Sequence, residues 1–554
     1  MSRRIIAGVA LLGALSLGLT ACGSSPKPTT GGGSAATELT LETNPIGDYT
    51  DNFNPFVSTS TGDSENTTGL VYEPLLQWNI TKSNSYTPWL AKSFAWNATG
   101  TSISFTIRSG VKWSDGTAFT AKDVAYTFQL MEQNKALNTY GLPITTATAS
   151  GDTATISFSQ PEYSNLYAIS GEVFIIPQHV WSAQSDPAQW TDPSPVGTGP
   201  FKLDRFAPQG YTLKANTAYW GGSPKVTEIS VPAYSSNTTA NQALENGQID
   251  WAGNDVSNIQ STYINRDPKN NHYWFPATNT VIMVYNVTKA PFNDVAVRKA
   301  VSDAINRTQL SQVGEEGYEA PATTDSGLLL PNFTGEVPAN LANDIQATSN
   351  TSAVTSVMTG AGYAKNSSGI WAKGGKEVTF TIEDPSSYTD YYEDANLIKS
   401  QLGPLGFNVS VNGVTPNKWA ADTADGAFDA TIHWGTGGPT PFTQYDSWLD
   451  YTTSAPIDQA ANGDLGRYNS PTVQSALKNW ASTNSPTQIS TDLGIVATAM
   501  ATDVPDAVLL YGAGWNEYST KKFTGWPTSS NSYNDPRPND PFLEVTILHL
   551  TPVS

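Results

Sequence analysis

Cys22 is the only cysteine among the 554 residues of the chain. No disulfide can form within the chain, so the stability of the fold has to come from the burial of apolar side chains. Apolar residues make up 38% of the sequence. Because single hydrophobic cores stop growing at roughly 250–300 residues, the sequence predicts more than one core.

The residues before Cys22 have the pattern of an export signal. Two arginines precede an apolar run over 5–19, and small residues follow up to the cysteine. The run is shorter than the about 20 residues that span a bilayer, so residues 1–21 are predicted to be a signal peptide. The segment 19–22 (LTAC) resembles the lipobox of bacterial lipoproteins, in which the cysteine is acylated. The alternative is an ordinary signal peptide with an incidental cysteine.

Residues 22–37 are rich in Gly, Ser, Thr and Pro, which is typical of a flexible tether. With a lipid on Cys22, this tether predicts an exported protein that is anchored to the outer face of the cell membrane. The expected location is therefore the periplasmic or cell-wall space.

Charge and aromatic content limit the classes of partner. The formal net charge is −20, and so acidic a chain is poorly suited to bind phosphate backbones, so no nucleic acid is expected as a partner. The sequence contains 16 Trp and 24 Tyr, which serve equally well in cores and in ligand sites.

Local patterns predict both strands and helices. Alternation of polar and apolar residues at 38–42 and at 103–107 is typical of half-buried strands. Thr120, three residues before Asp123, has the form of a capping box that begins a helix. A second helix is predicted over 295–305, where apolar residues recur at helical spacing.

The stretch 378–414 indicates the fold class. Residues 378–382 alternate as a strand, 394–402 have helical spacing, and 407–411 alternate again. A strand, a helix and a strand joined by short breaks form a βαβ-like unit, so the sequence predicts an α/β fold.

Signatures of catalysis and metal binding were not found in the sequence. It has no G-x-S-x-G or H-E-x-x-H motif, and residues 369–376 lack the Lys-Ser/Thr pair of a P-loop. Asp422–Gly426 lacks calcium-loop spacing and is better explained as a turn before a strand. No enzyme activity, metal or cofactor is therefore expected, although carboxylate pairs among 49 acidic residues leave a hydrolase open. The histidines are scattered without paired spacing: His179, His272, His433 and His549.

Six short segments carry a specific pattern when they are taken together. They are Asn54–Phe56, Val71–Leu76, Pro88–Ala91, Val111–Gly116 with Ala121–Val124, Gly197–Phe201, and Ala290–Asp294 with Val297–Ala300. In this order and spacing they resemble the family 5 solute-binding proteins of ABC importers, the dipeptide- and oligopeptide-binding type. The resemblance covers essentially the whole chain after the tether.

The resemblance implies an α/β, two-lobed fold like that of periplasmic binding proteins (type II, cluster C) with an additional third domain. Domain I is expected to comprise 38–75, 198–285 and 505–554. Domain II, the additional domain, is expected at 76–197, and domain III, the second lobe, at 286–504. We expect a monomer whose lobes close over the ligand and whose closed form is recognised by ABC permease subunits in the membrane.

One position departs from the peptide-binding members of this family. They often have a Trp at the end of a strand and, three residues later, an Asp that pairs with the α-amino group of the peptide. Trp434 matches, but Gly437 stands at the position of the Asp. A buried ammonium without a carboxylate is costly, and the neutral segment 435–441 is more similar to the oligosaccharide-binding branch. The alternative is that another acidic residue, such as Asp446 or Asp450, replaces the anchor.

Aromatic residues that follow an apolar run and have glycine nearby are the main candidates for ligand contact, because glycine opens space beside a ring. Trp434 and Trp515 fit this description, whereas Trp89, Trp96 and Trp113 are expected to pack in the fold. The predicted ligand-binding residues are Trp434, Gly437, Gly438, Trp515, Trp251 and Trp274.

The sequence thus predicts the binding module of an ABC importer, which captures a short oligomeric solute and delivers it to the permease. An oligopeptide is the default ligand of the family, and an oligosaccharide in the same role is the alternative. Two other classes stay open: a secreted hydrolase, and a structural or signalling lipoprotein that senses a solute without transporting it.

Overall fold

The computed structural model describes residues 37–435 and 438–553, so the predicted signal peptide, Cys22 and Gly437 lie outside the described residues. Residues 37–197 contain the first seven strands and four helices. These elements are β1 (Glu38–Thr40), α1 (Thr61–Ser64), α2 (Thr68–Val71), β2 (Leu76–Trp78), β3 (Tyr86–Pro88), β4 (Ala91–Trp96), β5 (Ser102–Ile107), α3 (Ala121–Gln133), β6 (Ile144–Ser150), β7 (Thr153–Phe158) and α4 (Gln178–Trp181).

The middle of the chain continues with shorter strands and then with the longest strand of the described residues. Its elements are β8 (Phe201–Ala207), β9 (Gly210–Ala215), β10 (Glu228–Pro232), α5 (Asn237–Glu245), β11 (Trp251–Ala252), α6 (Ile259–Thr262), β12 (Asn271–Tyr273), β13 (Ala277–Tyr285), α7 (Val295–Ala304), α8 (Arg307–Gln309), β14 (Ala320–Pro321) and α9 (Thr351–Gly360).

The last third of the chain is richer in helix. Its elements are β15 (Ala364–Lys365), β16 (Trp371–Lys373), β17 (Lys376–Glu377), β18 (Thr379–Pro385), α10 (Thr389–Leu402), β19 (Asn408–Val414), α11 (Pro416–Asp425), β20 (Ala430–Trp434), α12 (Pro441–Leu449), α13 (Pro471–Ala481), α14 (Pro486–Asp503), β21 (Asp506–Ala513), β22 (Glu517–Ser519), β23 (Phe523–Thr524), α15 (Leu543–His549) and β24 (Thr551–Pro552).

The secondary-structure predictions that depend on short segments of the sequence are confirmed. Strands β1 and β5 lie at the alternating patterns, and α7 covers the second predicted helix. The capping box forms: the backbone N–H of Thr120 donates to Asp123 Oδ2 at 2.8 Å, and α3 begins at the next residue. The βαβ unit is also confirmed, because β18 and β19 pair in parallel and α10 joins them.

Residues 422–426 differ from their prediction. They are the last turn of α11 rather than an isolated turn before a strand. Gly426 ends that helix in the left-handed region with φ +71°, a conformation that glycine adopts without steric cost. Helix α11 continues as far as Asp425, so the predicted turn lies within its last residues.

A six-stranded sheet with the order β14-β21-β13-β20-β18-β19 forms the centre of the second half of the fold. Successive residues of β13 point to opposite faces, so Val281 and Met283 join one hydrophobic cluster while Ile282 and Val284 join another. Both faces of the sheet are therefore covered. The prediction of more than one core is confirmed.

The first half of the fold is built on two four-stranded sheets, β1-β10-β9-β8 and β4-β5-β7-β6. Side chains from both sheets belong to one continuous hydrophobic cluster. The segment 76–197, which holds the second of these sheets, is therefore packed on the elements before and after it rather than on a core of its own.

The strands β13 and β21 decide where the second lobe begins and ends. Both belong to the six-stranded sheet, although they lie in segments that the predicted boundaries assign to domain I. We therefore propose a second lobe of residues 277–513, a first lobe of 37–75, 198–276 and 514–553, and an additional domain of 76–197. These names are used below.

Two of the family segments meet through a buried carboxyl group. Glu73, which is fully buried, accepts hydrogen bonds from Trp89 Nε1 at 2.8 Å, from the Tyr219 hydroxyl at 2.6 Å and from Trp220 Nε1 at 2.8 Å. Burial raises the pKa of Glu73 to about 7. Trp89 thus has a packing role, as predicted, and buried Trp113 has one too.

Gly197 has a steric role in the same region. A Cβ atom at this position would lie 1.7 Å from the carbonyl oxygen of Val71, so the two chain segments can only approach each other through glycine. Gly494 provides a contrast, because it lies inside α14 and no atom lies within 4 Å of the place where its Cβ would be.

Replacing Gly197 by Ala should therefore lower the free energy of unfolding by about 2–3 kcal/mol or more, because the backbone of residues 71–72 has to move. The matched control, Gly494→Ala, should leave the fold unchanged or stabilise it by up to about 1 kcal/mol, because Ala has the higher helix propensity. Urea unfolding of both variants measures the difference. Equal stability of the two variants would contradict the steric explanation.

Candidate functional site

The strands of the second lobe bring several side chains to one edge of the six-stranded sheet. Strands β18, β20 and β21 run in the same direction, and β13 lies antiparallel between β20 and β21. Their carboxyl ends at Pro385, Trp434 and Ala513 therefore meet where β13 begins. We call this the carboxyl edge. Ligands of open α/β sheets bind outside the carboxyl ends of the strands, so this edge is the candidate site.

The chain passes between the two lobes at the same edge. The two crossings, 274–276 and 514–516, lie side by side: the Gly514 N–H donates to the carbonyl of Pro276 at 2.7 Å, and the Trp274 N–H donates to that of Asn516 at 3.2 Å. Two short connecting segments that lie side by side can act as a hinge, because a few residues then absorb the backbone rotation as the lobes close. The carboxyl edge thus faces the first lobe across a hinge.

Trp434 is the most exposed aromatic ring at the carboxyl edge. It ends β20, and 43% of its surface is open to solvent. The rings of Trp419, Tyr391 and Tyr388 surround it, with centroid distances of 5.4, 6.4 and 6.4 Å. An exposed ring that its neighbours hold in place offers a flat apolar surface to a ligand.

Packing explains two of the glycines after Trp434, namely Gly435 and Gly438. A Cβ at Gly435 would lie 1.9 Å from the Trp448 ring, so the backbone presses directly against that side chain. Gly438 is buried and has φ +64°, and a Cβ there would lie 2.8 Å from Thr443. Gly437 lies outside the described residues, so its role as part of a neutral floor stays a prediction.

Trp274 and Trp515 lie in the two crossings themselves. Both are half-buried, and the Trp515 ring packs edge to face on Phe275 with a centroid distance of 4.8 Å. Tyr318 of the second lobe approaches the same two rings, at 5.3 Å from Phe275 and 6.2 Å from Trp515. The structure therefore brings these two residues to the hinge, next to the candidate site.

Trp251 has a different position from the one predicted. It is fully buried, its ring packs on Trp526 at 5.3 Å, and its indole N–H donates to Asn516 Oδ1 at 2.8 Å and to the Pro536 carbonyl at 3.1 Å. No surface of this ring is open to a solute, because β11 pairs with β22 inside the first lobe. We therefore correct its role to packing.

Carboxyl groups from both lobes meet across the gap at the carboxyl edge, and sequence reasoning missed them. Asp255 of the first lobe accepts a hydrogen bond from the Thr389 hydroxyl of the second lobe at 3.2 Å. Asp390, the next residue, lies in the first turn of α10. Burial raises the pKa of Asp255 to about 7, and repulsion by Asp390 contributes to this rise. Glu316 adds a second bond between the lobes, because it accepts the Asn258 N–H at 2.7 Å.

Further carboxyl groups lie behind these two residues. Glu315, Glu319 and Asp394 are each at most 2% exposed, and both oxygens of Glu315 lack a hydrogen-bond donor among the described residues. Burial, followed by mutual repulsion, raises the pKa of Glu315 and Glu319 well above the usual range. Gly314 makes room for this group, since a Cβ there would lie 2.0 Å from Asp394 Oδ1.

This group has no cationic partner in the part of the chain that the structure describes. Within the described ranges, no Lys or Arg forms an ion pair with Asp255, Asp390 or the three buried carboxyl groups. The same part of the chain shows no set of His, Cys, Asp and Glu that is arranged to hold a metal ion. The raised pKa values keep these carboxyl groups largely protonated in the ligand-free protein, and a bound organic cation would favour their ionised form.

The acidic residues suggested as a replacement anchor, Asp446 and Asp450, do not lie at this edge. Asp446 is on α12, where burial raises its pKa to about 7 and repulsion by Asp450 and by Glu162 of the additional domain adds to the rise. Asp450 accepts the Thr452 N–H in a local turn. Asp255 has no signal in its local sequence, whereas the acidic first turn of α10 could have drawn attention to Asp390.

Residues 85–456, about two thirds of the chain, match the family described as "Bacterial extracellular solute-binding proteins, family 5 Middle". The chain belongs to this family. Its members are extracellular solute-binding proteins and not enzymes, which confirms the predicted family and the expectation of a binding protein.

Solved structures with the same fold cover nearly the whole chain. A periplasmic oligopeptide-binding protein of an oligopeptide ABC transporter from Thermotoga maritima, solved with bound mannohexaose, is 23% identical with a TM-score of 0.82, and the match covers 93% of this chain and 98% of that one. The oligopeptide-binding protein AppA from Bacillus subtilis, solved with a nonapeptide, is 19% identical with a TM-score of 0.75 over 94% and 100% of the two chains. The predicted fold class is confirmed.

A curated relative is more similar in sequence. A putative ABC transporter peptide-binding protein of Brucella ovis is 30% identical over 291 residues. The match covers 50% of this chain and 53% of the relative, so the chain spans about half the length of this curated relative.

The raised pKa of Asp255 predicts how stability depends on pH. A carboxyl group whose pKa is higher in the folded state stabilises the fold below its unfolded pKa of about 4, and this contribution is lost as the pH rises toward 7. The free energy of unfolding of the ligand-free protein should therefore fall between about pH 4 and pH 7. Asp255→Asn should reduce the slope by up to about 1.4 kcal/mol per pH unit, the value for one proton.

Urea unfolding at a series of pH values measures this slope, with Asp48→Asn as the control at an exposed carboxylate. If Asp255→Asn and Asp48→Asn give the same slope as the unchanged protein, Asp255 is not held in its protonated form by the fold.

Proposed function

We propose that the protein captures oligopeptides outside the cell and delivers them to the permease subunits of an ABC importer. The observation that carries this proposal is the approach of Asp255 to the first turn of α10, where Thr389 donates to it and Asp390 is the next residue, with no cationic partner for either carboxyl group among the described residues. The α-ammonium of a peptide is a cation of suitable size, and it would relieve the repulsion between the two carboxyl groups. The name of the Brucella ovis relative supports a peptide ligand.

The position of the anchor suggests how a peptide is held. Asp255 belongs to the first lobe and Asp390 to the second, so an ammonium between them draws the lobes together. The peptide chain can then lie along the ring of Trp434, and the bond from Thr389 to Asp255 forms as the hinge closes. In this proposal the closed form carries the signal to the permease, and the ligand leaves unchanged.

An oligosaccharide is the second candidate ligand, and a specific observation favours it. The exposed ring of Trp434, held by Tyr388, Tyr391 and Trp419, offers the apolar surface on which a sugar ring can stack. The Thermotoga maritima relative, whose structure holds mannohexaose, is consistent with this candidate. The buried carboxyl groups are the reason to place the peptide first, because a neutral sugar would leave them uncompensated.

Calorimetry with a short peptide, its N-acetylated form and a mannose oligomer distinguishes the two candidates. The free peptide should bind, and acetylation should weaken binding at least about tenfold, because a charged hydrogen bond is worth ~1.5–3 kcal/mol. Trp434→Ala should weaken binding by ~2 kcal/mol, whereas Tyr451→Ala, a similarly exposed aromatic of the second lobe, should not change it. Binding of the mannose oligomer alone would establish the second candidate, and equal binding of both peptide forms would refute the anchor.

We also propose that Cys22 carries a lipid that holds the protein at the membrane. The residue lies outside the described ranges, and the proposal rests on the signal peptide pattern, on the lipobox resemblance and on its position as the only cysteine. Among the described residues, no helix is long and apolar enough to cross a membrane. Lipid chains on Cys22 would attach the protein to the membrane.

Replacing Cys22 by Ala should therefore release the protein from the membrane fraction and leave its melting temperature unchanged. Ser24→Ala, two residues further along the tether, is the control that should keep the protein in the membrane pellet. Fractionation after a high-salt wash, with detection by immunoblot, measures the distribution. A Cys22→Ala protein that still pellets with membranes would refute lipid attachment at this residue.

A further inference from the structure

A cavity of about 620 Å³ lies between the additional domain and the second lobe. The additional domain contributes one wall, which includes Tyr86, Trp96 and Tyr163, and the second lobe contributes the other, which includes Phe442 and Trp480. The volume is within the ~300–1,000 Å³ of small-molecule pockets. Neither the family segments nor the carboxyl edge accounts for a cavity at this place.

The cavity has the opposite chemistry to the carboxyl edge. Its walls are mostly aromatic and aliphatic, and the polar groups at its rim are chiefly neutral, such as Asn84 and Asn484. Glu336 is the one charged side chain in the lining among the described residues, and it accepts a hydrogen bond from the Ser83 hydroxyl at 3.2 Å. Such walls favour a large apolar or aromatic group without charge.

The cavity also depends on how the two parts meet. The Asn84 N–H donates to the Pro439 carbonyl at 2.8 Å, and the Ser164 hydroxyl donates to that of Trp480 at 3.0 Å. Because the additional domain shares a hydrophobic cluster with the first lobe, the two walls belong to the two sides of the hinge. A group bound here touches both sides and therefore favours their closed arrangement.

One chain segment connects the cavity with the carboxyl edge. Trp434 lies at the edge, and Thr440, six residues later, lines the cavity. Six residues span at most about 22 Å, so an extended ligand of about seven residues is long enough to reach both places.

We propose that this cavity is a second subsite for long peptides, which takes one large apolar or aromatic side chain several residues from the amino end. The proposal rests on the proposed function, since it requires a peptide held at the carboxyl edge. It extends that function by naming the ligand class: peptides of about seven or more residues with an apolar side chain at a fixed distance from the α-amino group.

The test measures, by calorimetry on the whole mature protein, the affinity of trialanine and of alanine octapeptides that carry a single Phe at successive positions. Phe at one position near the far end should bind about 10- to 100-fold more tightly than Phe elsewhere, because one aromatic side chain becomes buried. Trp96→Ala should reduce this advantage toward one. Tyr140→Ala, at a more exposed aromatic residue of the additional domain that does not line the cavity, should retain it.

A second variant distinguishes loss of the cavity from a folding defect of Trp96→Ala. Asn484 is exposed at the rim, so Asn484→Trp should block the cavity without removing a buried contact, and it too should reduce the advantage of the octapeptide. If trialanine binds but neither the position of Phe nor the two variants changes octapeptide affinity, the subsite is refuted while the proposed function stands. If no peptide binds, the proposed function and the subsite are both refuted. If the variants weaken only a mannose oligomer, the cavity is a sugar site and the peptide proposal is wrong.

Discussion

Strands β13 and β21 lie side by side inside the six-stranded sheet, and most of the other features of the molecule follow from their pairing. Each strand continues directly into one of the two crossings between the lobes. Because the strands are antiparallel neighbours, both crossings leave the sheet at the same edge and stay bonded to each other. The lobes are thus joined along one narrow line, and the carboxyl ends of the neighbouring strands are aimed at the gap beside it.

The two places along this gap where a ligand could bind differ in charge. At the carboxyl edge, buried carboxyl groups have neither cations nor enough hydrogen-bond donors among the described residues, so the ligand-free fold is destabilised at neutral pH. A protein retains such groups most readily where a ligand offsets their cost. The cavity under the additional domain is almost uncharged and lined by rings. The ligand that we propose for these two places is cationic at one end and apolar further along.

Some parts of this description could be predicted from the sequence because neighbouring residues decide them. The capping box at Thr120 and Asp123 needs only one helical turn, and the βαβ unit at 378–414 needs only its own apolar periodicity. The family segments could be recognised but not explained from the sequence. Their roles, such as the bonds that Glu73 accepts and the close approach of Gly197 to Val71, involve residues far apart in the chain.

Two features of the candidate site could not be predicted from the sequence. Trp251 and Trp515 were both predicted to contact the ligand and both have a glycine within two residues, yet Trp251 is buried against Trp526 and Trp515 lies in a crossing beside the gap. Asp255 and Asp390 are separated by more than a hundred residues and have no local pattern in common. Their shared position exists only because the hinge places α10 opposite the loop after β11.

The sequence by itself determined the export pattern, the absence of disulfides, the α/β class and the family, since composition and short spacings are sufficient for each of these. Only the tertiary structure decided which aromatic rings are open, which carboxyl groups face each other and where an uncharged cavity lies between two walls. The physical reason is that burial and electrostatic repulsion depend on distances between residues that are remote in the chain, and the fold alone sets those distances.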